Sequence, residues 1–151
     1  MTSRWVLLGA LAACTEVANA PEADPSAHLD ETVFRCSVQP ILARQCSYMA
    51  CHGQAGTALR VYTLGKLRQT PPQNIDDATA PLTDAEQHAN FLSASGFAAT
   101  APTADDNWLL RKPLPASAGG FEHAGGAIYT GATDAQYAAI RAWLTGAGTC
   151  N

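Results

Sequence analysis

Apolar positions recur at helical spacing in three stretches of the chain. In the first, Val33, Phe34, Val38, Ile41 and Leu42 share a face, with Asp30 as N-cap and Glu31 in the first turn. Pro40 interrupts this stretch. A proline inside a helix lacks the N–H donor and its ring collides with the carbonyl four residues back. The expectation is therefore a short helix to about Gln39, then a bent turn. The second stretch runs from Thr83 to about Leu92, opened by a capping box in which Glu86 reaches back to Thr83. The third spans 134–144, with Thr133 as cap, Gly146 as stop and Tyr137, Ile140, Trp143 and Leu144 on one face. Asp105 or Asp106 is expected to cap a further short helix through Leu110. Residues 54–69 mix short apolar alternation with glycine and read as loop and short extended pieces. Residues 71–81 and 113–126 read as loops. The pattern predicts a mainly α, single-domain protein with long loops.

Ahead of Asp30 the pattern changes. Arg4 precedes an apolar run from Trp5 to Ala13. That run falls short of the about 20 residues a membrane-spanning helix needs, and it has the layout of a secretory signal. Leu11-Ala12-Ala13-Cys14 resembles the bacterial lipobox. The resemblance implies that Cys14 is diacylated and becomes the first residue of the mature protein. The rival cut, after Ala18-Asn19-Ala20, would be followed by Pro21, which the ordinary signal peptidase accepts poorly. Either cut exports the chain and permits disulfides. The lipoprotein reading gives a signal peptide at 1–13, a flexible tether at 14–29 with a solvated His28, and a folded domain at 30–151.

The length of 151 residues fits one domain. A net charge of −4 with no basic stripe argues against nucleic acid as a partner. Much of the 47% hydrophobic content is alanine, so the core is thin. Such a chain gains from a cofactor or a disulfide. No catalytic triad, paired-acid pocket or phosphate loop is visible, and the expectation is a protein that is not an enzyme.

Cysteine carries the chemistry. Of five cysteines, at 14, 36, 46, 51 and 150, two lie in Cys46-Ser47-Tyr48-Met49-Ala50-Cys51-His52-Gly53. Two cysteines followed at once by histidine is the pattern of covalent haem attachment. The thiols add to the porphyrin vinyl groups, and the adjacent imidazole reaches the iron from the same turn. The usual interval is two residues; here it is four. On this fragment alone, a partial zinc site and a plain Cys46–Cys51 disulfide compete with haem.

The flanking segments bear on that choice. Val38-Gln39-Pro40-Ile41-Leu42 before the cysteines, Trp108-Leu109-Leu110-Arg111-Lys112-Pro113, Phe121-Glu122-His123-Ala124-Gly125-Gly126, and Tyr137 through Gly148 with Trp143 occur in that order. Together they resemble the bacterial cytochrome c-like domains common in planctomycetes and myxobacteria, over about residues 31–148. The resemblance implies a mainly α cytochrome c-like fold and one covalent haem c on Cys46 and Cys51, with His52 as proximal iron ligand. It implies His123 as sixth ligand, since that residue matches the family's His-Gly-Gly-Gly segment and Gly125 and Gly126 relieve backbone crowding. Met49 is expected to pack near the proximal edge, and His88 to be solvated on a polar helix face. First and last helices cross in cytochromes c, which implies a Cys36–Cys150 disulfide. The function so implied is electron transfer at the cell envelope, with redox proteins as partners and the membrane reached through the lipid on Cys14. Two alternatives stand beside it: a haem peroxidase or small-gas sensor with a labile sixth ligand, and a structural lipoprotein with no haem.

Overall fold

The computed structural model of the chain describes residues 28–98 and 101–150; the signal segment, Cys14 and the tether as far as residue 27 lie outside them. The described residues are mainly helical, with no strand among them. Helix α1 opens at Asp30, whose carboxylate accepts from Val33 N–H at 3.0 Å. It does not stop near Gln39 as Pro40 led us to expect. After Glu31–Val33 the backbone widens into a π turn, Phe34–Val38, and resumes as α-helix over Gln39–Gln45. The π turn closes with Gln39 N–H on the Phe34 carbonyl, five residues back. Pro40 then falls in the first turn of a fresh α segment, where a missing N–H costs nothing.

Within the stretch 71–81, expected as loop, Asn74 caps a short helix α2, Ile75–Thr79. Helix α3 covers Asp84–Ala98, beyond the expected end at Leu92. Its capping box is present, with Glu86 N–H on Thr83 Oγ1 at 3.2 Å and Thr83 N–H on Glu86 Oε2 at 3.0 Å. Ala94, fully buried, and the partly buried Phe91 and Phe97 carry the helix past its serines, because tertiary packing outweighs weak local propensity.

The short helix α4, Trp108–Arg111, is capped by Asn107 rather than by Asp105 or Asp106, which sit in a preceding 3-10 turn, Ala104–Asp106. Asn107 is buried, so its amide suits the place better than a carboxylate. Its Oδ1 accepts from Leu109 N–H at 2.9 Å while its Nδ2 donates to the Phe97 carbonyl at 3.0 Å, tying α4 to α3. Helix α5, Ala135–Leu144, is capped by Asp134 rather than Thr133. Asp134 Oδ1 accepts from Gln136 N–H at 2.8 Å.

The core forms where α5 packs on the π turn of α1. Phe34, Val38, Ile140 and Trp143 are fully buried. Phe34 lies 5.2 Å from the Trp143 ring and 5.7 Å from Phe91 of α3, centre to centre. Trp143 Nε1–H donates to the Asp30 carbonyl at 3.0 Å, so its indole is buried with its one donor satisfied. A Cβ on Gly148 would lie 2.7 Å from Val33 Cγ1, so glycine there permits the close approach of the chain end to α1. Cys36 and Cys150 are joined as a disulfide at this crossing, with Cα atoms 5.6 Å apart. The last two tether residues meet the domain: Leu29 is buried, and His28, exposed as expected, also places Nε2 3.1 Å from the Leu144 carbonyl.

Candidate functional site

The end of α1 feeds a tight loop. Cys46 N–H still bonds to the Leu42 carbonyl at 2.9 Å, and the Cys46 carbonyl then accepts from His52 N–H at 3.1 Å. Gly53 N–H bonds to the Tyr48 carbonyl at 3.0 Å, and a Cβ on Gly53 would collide with the Ser47 carbonyl. The extra residues of the Cys-x4-Cys interval are thus taken up in a turn that keeps Cys46 and His52 together. His52 Nδ1 lies 2.9 Å from the Leu59 carbonyl. A carbonyl only accepts, so Nδ1 carries the proton and Nε2 keeps its lone pair. The Leu59 carbonyl also accepts from Thr57 Oγ1 at 2.8 Å, and Val61 N–H bonds to the His52 carbonyl at 2.8 Å.

This segment is in turn held by α3. Buried Asn90 accepts from Tyr62 N–H at 2.7 Å and donates to the Tyr62 carbonyl at 2.9 Å. Ser93 Oγ accepts from Arg60 N–H at 2.8 Å. The orientation of the His52 imidazole therefore traces back to two polar side chains on a helix remote in sequence.

His123 sits on the loop after α4. That loop is fixed by Phe121 N–H on the Arg111 carbonyl at 3.0 Å and by Ile128 and Tyr129 N–H, both on the Pro113 carbonyl, at 2.8 and 3.1 Å. Gly126, at φ +71°, takes a left-handed conformation that returns its carbonyl to within 3.4 Å of His123 Nδ1. A Cβ on Gly125 would lie 2.9 Å from His123 Cε1, so the ring occupies space that only glycine leaves. The outcome is two imidazoles with centres 6.0 Å apart and planes 11° apart, each with Nδ1 toward a backbone carbonyl and Nε2 uncommitted.

A cavity of about 440 Å³ opens beside them, lined by Leu42, Cys46, His52, Thr57, Ala58, Leu59, Phe97, Trp108, Leu109, Lys112, Pro113, His123 and Tyr129. A second hollow of about 240 Å³ shares Cys46, His52 and His123 and adds Cys51, Gln45, Tyr48, Gly125 and Ile128. Cys46 and Cys51 are free thiols. Cys46 is buried, and that burial, with the Cys51 thiol beside it, pushes its pKa up to about 11. Burial likewise holds the His52 imidazole below its ordinary range, with the charges of His123 and Lys112 adding to the effect. His52 is neutral near pH 7, the form that donates to a metal. Burial raises the Tyr129 phenol, which stays protonated.

Of the residues singled out in the sequence, Cys46, Cys51, His52 and His123 come together here. Met49 does not pack as expected. It is 61% exposed, because the turn from Cys46 to Gly53 carries its middle outward. His88 is exposed and pairs with Glu31 at 2.8 Å. The sequence raises Lys112 only as a fallback iron ligand, and it does not single out Trp108, Thr57, Asn90 or Ser93 as parts of the site. A fully buried asparagine inside a helix was the one available signal, and it is invisible without knowing which helix face is buried.

No protein-family model, curated protein or solved structure matches the chain. Among the described residues no three His, Cys, Asp or Glu side chains converge to hold a metal ion. No helix among them is long and apolar enough to cross a membrane.

Proposed function

We propose that the chain is a mono-haem c-type cytochrome of cytochrome c-like fold that transfers electrons at the cell envelope. Cys46 and Cys51 would hold haem c through thioethers, and His52 and His123 would hold its iron. The observation that carries this reading is the facing pair of imidazoles. A centre-to-centre distance of 6.0 Å leaves room for one metal ion bound by both rings, since metal–imidazole bonds are about 2.0–2.1 Å long. The pair offers two nitrogen donors, and no third His, Cys, Asp or Glu joins them among the described residues, so the further donors to an iron would come from a cofactor such as a porphyrin. The adjoining apolar cavity and the two thiols beside His52 suit the body and the vinyl groups of that same cofactor. When bound, the haem supplies a one-electron iron couple. Two imidazoles in place of a His/Met pair favour a lower potential. With Nδ1 of each ring toward a carbonyl, Nε2 of His52 and His123 would be the atoms that hold the iron, and Leu42, Leu59, Phe97 and Leu109 would keep water from the buried face.

The test is covalent haem in protein matured with an active attachment system. A haem-staining band should survive denaturing electrophoresis in wild type and vanish in the Cys46→Ala/Cys51→Ala variant. Matured wild type without that band would sink the reading. We further propose that diacylated Cys14 anchors the domain to the membrane, where redox proteins are its partners. Cys14→Ser should then move the protein to the soluble fraction, because the acyl chains contribute about 0.8 kcal/mol per buried methylene. Wild type found only in the soluble fraction would contradict this.

One observation favours a second reading, a gas sensor or peroxidase with a labile sixth ligand. His123 meets its carbonyl at 3.4 Å on an exposed loop, against 2.9 Å for His52. Ready carbon monoxide binding by the reduced wild type would select that reading over electron transfer.

A further inference from the structure

We propose that Lys112 is the anchor for a carboxylate of the cavity's ligand, which on the haem reading above is a propionate. Among the residues lining the larger cavity, Lys112 is the one lysine or arginine, and no carboxylate lines it. Four arginines elsewhere are matched: Arg35 faces Glu31 and Asp84, Arg68 faces Glu86, Arg111 faces Asp106 and Arg141 faces Asp105, all within 4 Å. Arg44, Arg60 and Lys66 bond instead to Gln136, the Ala55 carbonyl and Ser47, and none of them lines the cavity. Lys112 has no carboxylate partner among the described residues.

Its position is nonetheless fixed. Lys112 N–H bonds to the Trp108 carbonyl at 3.1 Å, and the next carbonyl, Pro113, accepts from both Ile128 and Tyr129. The ammonium lies 4.3 Å from the centre of the Trp108 ring, and Trp108 both lines the cavity and is half exposed. The charge is therefore held where an apolar hollow meets solvent. An amphipathic ligand enters such a site body first and leaves its anionic end at the mouth. There an unpaired carboxylate would lose hydration without replacement, and an ammonium with three donors supplies it.

This inference rests on the haem reading, and the experiment separates the two. In the matured cytochrome, Lys112→Gln should keep covalent haem and a low-spin spectrum. It should shift the propionate bending band in the resonance Raman spectrum and lower the midpoint potential, since a cation near the iron favours the reduced state. Lys112→Arg should restore both. A Gln variant with haem in place and both readouts unchanged overturns the Lys112 assignment and leaves the haem reading standing. Wild type that takes up no haem overturns both. Should the Gln variant fail to mature, acetylating the two lysines of intact wild type removes the same charge. A propionate band left in place after acetylation of Lys112 overturns the assignment.

Discussion

His52 and His123 are positioned by the same device at two strengths. Each ring gives Nδ1 to a carbonyl and keeps Nε2 free, but the Leu59 carbonyl is braced by Thr57 and by α3, whereas the Gly126 carbonyl belongs to a glycine-rich loop. If the protein carries haem as proposed, His123→Ala should therefore leave it attached through Cys46, Cys51 and His52. Its ferric haem should move from low-spin toward high-spin, and the ferrous form should bind carbon monoxide readily. His88→Ala should change neither property, because that ring is exposed and faces Glu31 across 2.8 Å. A low-spin His123→Ala protein beside a high-spin His88→Ala protein would reverse the assignment. The sequence singles out both histidines, His52 from the adjacent cysteine and His123 from the resemblance of its segment to the family's His-Gly-Gly-Gly. The 2.9 Å clearance at Gly125 gives the second a physical reason. The sequence suggests Lys112 only as a fallback iron ligand, not as a charge at the mouth of a cavity. It stood in a recognised segment, but nothing in one dimension shows which side chain turns toward a cavity.

Among the elements, periodicity located the helices, and the errors lie at their ends. Pro40 was read as a terminator because an α-helix cannot pass it. A π turn ahead of it lets the helix resume with Pro40 in a fresh first turn, and hydrophobic periodicity carries no signal for such a turn. The caps moved by one or two residues wherever several polar residues stood together, to Asn107 and to Asp134. The capping box at Thr83 was read correctly, but its glutamate has a second task. Glu86 accepts from Arg68 at 2.8 and 2.9 Å and from Gln69 N–H at 2.9 Å. Arg68 also donates to the carbonyls of Asp77, Ala78, Ala80 and Pro81. One buried ion pair thus pins the loop carrying α2 to the start of α3. The hydrogen bonds from Arg68, opposed by burial and aided by the two backbone N–H groups, lower the Glu86 pKa from 4.5 to about 2. A carboxyl whose folded pKa is depressed stabilises the fold above its unfolded pKa, and that contribution disappears as pH falls through the folded value. Urea stability of wild type should fall between about pH 4.5 and pH 2. Glu86→Gln should be less stable at pH 7, because Arg68 is left buried without its anion. It should also lose stability less steeply across that acid window. Equal acid slopes for the two proteins would place the titration elsewhere, with Glu31 or Asp105 next in line.

For the whole molecule, the decisive contact joins the two ends of the domain. Phe34 and Trp143 pack at the crossing, Gly148 lets the chain end approach α1, and Ser37 Oγ donates to the Thr149 carbonyl at 2.8 Å. The Cys36–Cys150 disulfide spans a sequence separation of 114 across that contact. Although the chain is rich in alanine, the core of the described residues is built of large side chains, with Ala94 its one buried alanine. The link adds to that core by acting on the unfolded chain, without further buried surface. In the chain-entropy account a loop of this length contributes about 4–5 kcal/mol. Cys36→Ala/Cys150→Ala should therefore unfold at markedly lower denaturant than wild type. Its denaturant slope should be steeper, because the unlinked chain exposes more surface on unfolding. Neither cysteine lines the cavity, so the same variant should keep its haem and its low-spin spectrum in the absence of denaturant. The midpoint and the slope separate two mechanisms. A lower midpoint with an unchanged slope would mean that the bridge acts on the native crossing. An unchanged midpoint would mean that Phe34, Trp143 and the Ser37 hydrogen bond close the domain without it.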